Sequence, residues 1–123
     1  MATIHLRVPA HPDYVGLIRS TAGHVAARAD LTVEQIDDLR LAVDEAFALL
    51  ISHNPNDGDV SVTFEVTVDT LSISLVGPDG SPELDRATFA WTVLQALIAD
   101  VQITTSAAGA STLHLVTKVV ASA

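Results

Sequence analysis

Hydrophobic positions recur along this chain at two different spacings, and the switches between them outline its elements. Ile4, Leu6 and Val8 alternate with His5 and Arg7, the period of a half-buried strand. Pro9 closes that strand because it brings no amide hydrogen to a ladder. Pro12 and Asp13 suit the first turn of a helix, where proline presets φ and a carboxylate meets the positive helix end. Tyr14, Leu17, Ile18, Ala22, Val25 and Ala26 follow at helical spacing, diluted by Gly16 and Gly23. Thr32 with Gln35 three residues on reads as a capping box. It opens the strongest helix, Val33 to His53, with Ile36, Leu39, Val43, Ala46, Phe47 and Leu50 as its apolar stripe and Glu34, Asp37 and Asp38 in its early turns. That stripe is expected to be core and not a groove for a partner. The turn residues from Asn54 to Gly58 end the helix.

The period then drops to two. Val60, Val62, Phe64, Val66 and Val68 share one face against Ser61, Thr63, Glu65 and Thr67. A tight connection at Asp69–Thr70 leads to Leu71, Ile73 and Leu75, so the two segments predict a hairpin with one wet face. After a loop from Gly77 to Pro82, a helix is predicted from Glu83 to Ala99, with Leu84, Phe89, Val93, Leu94, Leu97 and Ile98 as its core residues. Val101 to Thr105 and Thr112 to Val120 read as two last strands joined by small residues. The order is β-α-α-β-β-α-β-β. Two adjacent strand pairs are hairpins, so helices cannot alternate with parallel strands throughout. The pattern predicts an α+β two-layer sandwich: a mixed, largely antiparallel sheet with helices on one face. The Thr3–Val8 strand is placed at an edge. No repeat or long linker divides the 123 residues, so one domain over residues 1–123 is expected.

Charge and composition narrow the function. Fifteen acidic residues against six basic ones give a net charge of −9. The basic residues Arg7, Arg19, Arg28, Arg40, Arg86 and Lys118 are scattered singly, whereas a nucleic-acid binder clusters them against phosphates. Nucleic acid is therefore excluded as a partner, and a basic protein surface would be steered toward this one. With no cysteine there is neither a disulfide framework nor a thiolate metal site. The N-terminus lacks a signal-peptide pattern and no apolar run is long enough to span a bilayer, so a cytoplasmic domain without a membrane partner is expected. The five histidines, His5, His11, His24, His53 and His114, fall on different elements without metal-ligand spacing.

Two stretches carry a resemblance. Leu39-Arg-Leu-Ala-Val-Asp-Glu-Ala46 and Thr88-Phe-Ala-Trp-Thr-Val-Leu-Gln-Ala-Leu-Ile-Ala-Asp-Val-Gln102 resemble segments of the sporulation and general-stress anti-sigma kinases. The similarity is greatest to actinobacterial anti-sigma factors of the sigma-F type and covers nearly the whole chain. It implies the Bergerat-type fold of histidine-kinase-like ATPases. In the family's first ATP motif a Glu is followed at four-residue intervals by an Asn and a His. Glu45 and His53 match the first and third positions; Leu49 stands at the second.

The resemblance implies that Glu45 is the vestige of the base that activates the attacking hydroxyl in phosphoryl transfer. From spacing alone it is a carboxylate beside Asp44 on the solvent edge of a helix. The family Asn helps hold Mg²⁺, which wants oxygen ligands; Leu49 offers none and extends the apolar face. The second motif, Asp-x-Gly-x-Gly, follows a strand, and its Asp receives the adenine amino group. Gly77 falls at that Asp and Asp79 at the first Gly, so Asp79 with Gly80 would serve only after a register change that Pro78 resists. The glycine-rich phosphate lid maps to Leu84–Trp91, where no glycine stands and Phe89 and Trp91 are bulky. Gly109 with Thr112 keeps the small turn into the last strand. Each missing contact removes about 1–3 kcal/mol, so ATP and Mg²⁺ are expected to bind weakly or not at all, with no other cofactor.

The same resemblance implies two protein partners, an alternative sigma factor and an antagonist of the anti-anti-sigma (STAS) type, with a homodimer as the working unit. Arg19 matches the first-helix Arg that touches both partners. Three readings follow: an anti-sigma factor without efficient kinase activity, a serine kinase acting on the antagonist, and a domain of the same family serving a different protein partner.

Overall fold

The computed structural model describes residues 1–51, 58–79, 84, 88–107 and 109–119. Strand β1 is Ala2–Pro9, and a short 3-10 turn, Pro12–Tyr14, leads into helix α1, Val15–Arg28. Helix α2 is Val33–Ile51, followed by strands β2, Asp59–Val66, and β3, Thr70–Val76. Helix α3 is Phe89–Leu97, and strands β4, Asp100–Thr105, and β5, Ser111–Lys118, end the fold. The element order is the one the hydrophobic periods predict.

The sheet runs β1-β2-β3-β5-β4, with β1 at one edge as expected. All four pairings are antiparallel, so the mixed character expected from the sequence is not realised. The crossover through α3 does bring β4 back in the direction of β3. The β4–β5 hairpin then folds β5 into the gap between them, and no parallel pair touches.

Two apolar rows cross all five strands on one face. Ile4, Phe64, Ile73, Leu115 and Val101 form one, and Leu6, Val62, Leu75, Leu113 and Ile103 the other. Their central members are fully buried, while Ile4 and Leu6 on the edge strand are only partly so. All three helices cover this face: α2 contacts β3, α1 contacts β2 and α3 contacts β4, with α2 packed between α1 and α3. Phe47, Leu39 and Val43 of α2 and Ile18 of α1 close the core. Each large side chain so buried contributes about 1.5–3 kcal/mol. The opposite face is polar, and His5, Thr63, Ser74, His114 and Gln102 cross it in register. His5 Nδ1 lies 3.1 Å from Thr63 Oγ1, and His114 is hydrogen-bonded to Ser74 through Nδ1 at 3.2 Å and to Thr104 through Nε2 at 3.1 Å.

The capping box forms as predicted. Gln35 N donates to Thr32 Oγ1 at 3.1 Å, and Thr32 N donates to Gln35 Oε1 at 3.0 Å. Helix α1 ends in a Schellman motif: Leu31 N donates to Ala26 O, Asp30 N donates to Ala27 O, and Asp30 takes φ 63°.

Several expectations need correcting. Helix α3 begins at Phe89, not Glu83, because Thr88 caps it by accepting from Trp91 N at 3.2 Å. Phe89, expected in the core, is 81% exposed, and Trp91 on the same helix is buried instead. Leu84 is buried outside any helix, and Ile98 just after α3. Val68 is exposed in the β2–β3 turn, where Thr67 N donates to Thr70 O and the strand alternation has ended. Tyr14 and Leu17 are exposed because the face of α1 that meets the core runs through Ile18, Ala22, Val25 and Ala26. The last two residues assigned to the long helix, including His53, and Gly80 lie outside the described residues.

Candidate functional site

The C-terminal half of α2 carries the first motif. Glu45 is half-buried and makes no ion pair with a described residue. Leu49, one turn later, is buried within the hydrophobic cluster. At the position implied to hold Mg²⁺ the helix therefore presents hydrocarbon to the protein interior, an environment that disfavours a hard cation.

Gly77 follows β3 and is held between α2 and β5. Its N–H donates to Ser111 O at 2.9 Å. A Cβ there would lie 3.2 Å from Leu50 Cδ2, 3.6 Å from Leu50 Cβ and 3.6 Å from Ser111 O. Leu50 is itself buried. A side chain at this position, such as the adenine-binding Asp the resemblance implies, would thus press on Leu50 of the α2 stripe, which would have to shift by a few tenths of an ångström to admit it. Asp79 does not take over the role. It is exposed and borders a cavity of about 420 Å³ with Arg7, Gly58, Asp59, Ser61, Val76, Gly77 and Pro78, and no described residue of α2 lines that cavity.

The turn into β5 is built as the small residues suggest. Gly109 has φ 84°, where a side chain would be strained, and Ser106 Oγ accepts from Ala110 N at 3.1 Å. Thr112, however, sits on the polar sheet face, paired with Val76 and Thr104, away from α2. The residue facing α2 is Ser111, fully buried, with a hydroxyl that has no hydrogen-bond partner among the described residues. Counting back by twos from Leu115 and Leu113 would have identified it. Of the residues matched to the nucleotide motifs, Glu45 and Leu49 share a helix, Gly77 meets Ser111, and Asp79 and Thr112 lie apart from them. Among the described residues Mg·ATP does not fit this set: Leu49 and Gly77 bring no side-chain oxygen where the resemblance implies ligands for its metal and its adenine.

Arg19 lies on the opposite side of α2. Its Nε donates to Asp44 Oδ1 at 2.8 Å, and the two side chains are 38% and 31% exposed. Asp44 is the residue missed from sequence, since nothing in the spacing shows that α1 and α2 bring positions 25 apart together. A cavity of about 440 Å³ adjoins the pair, lined by Pro12, Val15, Phe47, Ala48 and Ile51. Phe47 of the α2 stripe borders this slot but is buried, so the stripe is core as expected; Ile51, outside that stripe, borders it too.

The fold and these positions can be compared with known proteins. A family model described as the histidine kinase-like ATPase domain matches residues 8–115. The chain belongs to the histidine kinase-like ATPase domain family. Within it, the chain is 38% identical over 86 residues to the serine-protein kinase RsbW of Bacillus velezensis, a match covering 68% of this chain and 54% of that protein. It is 37% identical over 86 residues to RsbW of Bacillus subtilis, with the same coverage. The chain thus spans about half the length of the curated relatives it matches. Its fold is also that of a crystal structure of the RsbU and RsbW domains of Rv1364c from Mycobacterium tuberculosis, with TM-score 0.74 and 16% identity over 94% of this chain and 31% of that one. Both of these curated relatives are named serine-protein kinases. Among the described residues, no helix is long and apolar enough to cross a membrane.

Proposed function

We propose that this chain is an anti-sigma factor that sequesters an alternative RNA polymerase sigma factor, yields it to an anti-anti-sigma antagonist, and works without efficient phosphoryl transfer. The observation that carries this reading is the crowding at the position the resemblance gives to the adenine-binding Asp: Gly77 stands there, and Leu50 lies 3.2 Å from where a Cβ on it would be. With Leu49 buried one residue earlier, the domain keeps its fold while lacking both anchors for Mg·ATP. A domain that cannot hold nucleotide acts through its surface, and Arg19 is a side chain suited to that, since arginine can hold a carboxylate bidentately at an interface. Glu45 is then a residue that has outlived its chemistry. Co-expression with alternative sigma factors from the source organism tests the proposal. A one-to-one or two-to-one complex that forms without nucleotide is expected; failure to bind any of them overturns it.

The second reading, a serine kinase acting on an anti-anti-sigma protein, is favoured by one observation, the retained Glu45 on the motif helix. Titration with Mg·ATP at millimolar concentration decides it. Saturable binding, with phosphoryl transfer abolished by Glu45→Ala while binding persists, would establish the kinase.

A further inference from the structure

We infer that the cavity where the N-terminal end of α2 meets the C-terminal end of α3 is a docking site for an arginine side chain of a protein partner. The cavity shares no residue with the matched nucleotide motifs or with the slot beside Arg19. It measures about 550 Å³ and is bounded by residues 35 and 38 of α2, 97–100 between α3 and β4, and 116–118 of β5. Leu97, Ile98 and Val116 give it an apolar wall, suited to the methylene stem of an arginine. Ala99, Asp100 and Lys118 are exposed, so the cavity opens at the surface. A side chain can therefore enter while the chain that bears it stays outside, and the net charge of −9 steers a basic partner toward it.

The uncommitted polar groups of this cavity are acceptors. Asp38 is half-buried and makes no ion pair with a described residue. Thr117 continues the inward-facing series of Leu113 and Leu115, and its Oγ1 is buried with no hydrogen-bond partner among the described residues. Such a hydroxyl carries a desolvation cost that a ligand's N–H would relieve. Helix α3 has no basic residue in its last turn, so the negative end of its dipole is uncompensated there. The positive end of α2, by contrast, is already met by the Thr32–Gln35 box and Glu34. Gln35 is committed too, through Oε1 to Thr32 N and through Nε2 to Lys118 O at 2.9 Å. Three charged residues line the cavity: Asp38, Asp100 and Lys118. Asp100 is exposed and accepts from Gln102 Nε2 at 3.5 Å. Lys118 is exposed and alternates with Thr117 to the other sheet face, so it opposes a cation from the rim only. The half-buried charge is Asp38 alone, and the group that complements it is a cation. Arginine suits these acceptors better than lysine, because its planar head offers five donors to groups on two elements, whereas an ammonium is a point charge with three.

The site can be tested on the chain alone with capped arginine (N-acetylarginine N-methylamide), which presents the side chain as a protein does. Titration followed by NMR should give saturable shifts of the Leu97, Ile98 and Val116 methyls, with a Kd on the order of 1–10 mM that weakens as salt is raised. Capped citrulline, its uncharged isostere, should bind roughly tenfold more weakly, and capped lysine about threefold more weakly. Asp38→Asn should weaken capped arginine roughly tenfold, and Lys118→Gln should tighten it about twofold. Thr117→Val separates a docking role from a structural one. It removes a buried hydroxyl that the free protein leaves unpaired, so it should weaken binding about threefold while raising the thermal midpoint. No saturable shift, equal binding of capped citrulline, or a lower midpoint for Thr117→Val with binding unchanged overturns the inference. Saturation by agmatine with none by capped arginine overturns it too, since the cavity would then serve a free cation and not a protein side chain. A chain that binds no sigma factor should give the same titrations, so failure here and failure of the anti-sigma reading remain distinguishable.

Discussion

Gly77 shows how one side chain decides what a site can hold. Its missing Cβ lets Leu50 close on the backbone, with Leu50 Cδ2 3.2 Å from the position a Cβ would take. Gly77→Asp therefore cannot simply restore an adenine contact. It should destabilise the protein by about 2–4 kcal/mol, read as a lowered urea midpoint, because it both overpacks Leu50 and buries a carboxylate. A neutral substitution would show that Leu50 yields and that the pocket is latent. Asp30 gives a change of the opposite sign. It occupies the left-handed region at φ 63° in the cap of α1, where glycine is unstrained. Asp30→Gly should stabilise by about 0.5–1 kcal/mol in the same assay. Neither effect can be read from sequence. The resemblance flags Gly77 as a departure, but only the packing of α2 against β3 shows which residue crowds it.

Among the elements, those whose ends carry their own hydrogen bonds were the most legible. The Thr32–Gln35 box fixes the start of α2 through reciprocal bonds within four residues, and the helix begins where the sequence places it. Thr32→Ala should cost about 1 kcal/mol by removing one of the two, measured as a fall in thermal midpoint of several degrees. Helix α3 was misjudged by six residues for the complementary reason. The periodicity of Leu84, Phe89, Val93 and Leu94 runs through the boundary, whereas the Thr88 cap that sets it is a weaker sequence signal. Phe89 also fits the apolar period yet points to solvent, since it lies in the first turn, before the helix turns its buried face through Trp91 and Leu94. The strands read well wherever both faces alternate. Alternation misled only at Val68, one step past the last ladder pair of β2.

At the scale of the whole molecule, the domain has kept the architecture of a nucleotide-binding family while its central helix has become part of a continuous core. A working site that bound Mg·ATP a hundred times more tightly than the concentration used would raise stability by about 2.7 kcal/mol. Here millimolar Mg·ATP should leave the thermal midpoint unchanged, and a clear upward shift would speak for the kinase reading. Removing a central member of the buried row tests the other half of that statement. Phe64→Ala should cost about 3–5 kcal/mol, because Phe64 is fully buried where β2 meets both of its neighbours.

Local and periodic information was enough to determine the order of elements, the two hairpins, the capped central helix and most of the residues that face the core, Phe89, Val68 and Trp91 excepted, since strand alternation, helical spacing and caps are properties of neighbours in sequence. The departures at Leu49 and Gly77 were equally visible in the chain. Contacts across long separations were decided only by the tertiary structure: the insertion of β5 between β3 and β4, Leu50 closing on Gly77, Ser111 and not Thr112 facing α2, and Asp44 holding Arg19 beside an apolar slot. Each depends on the relative placement of two elements, which packing fixes and no single segment encodes.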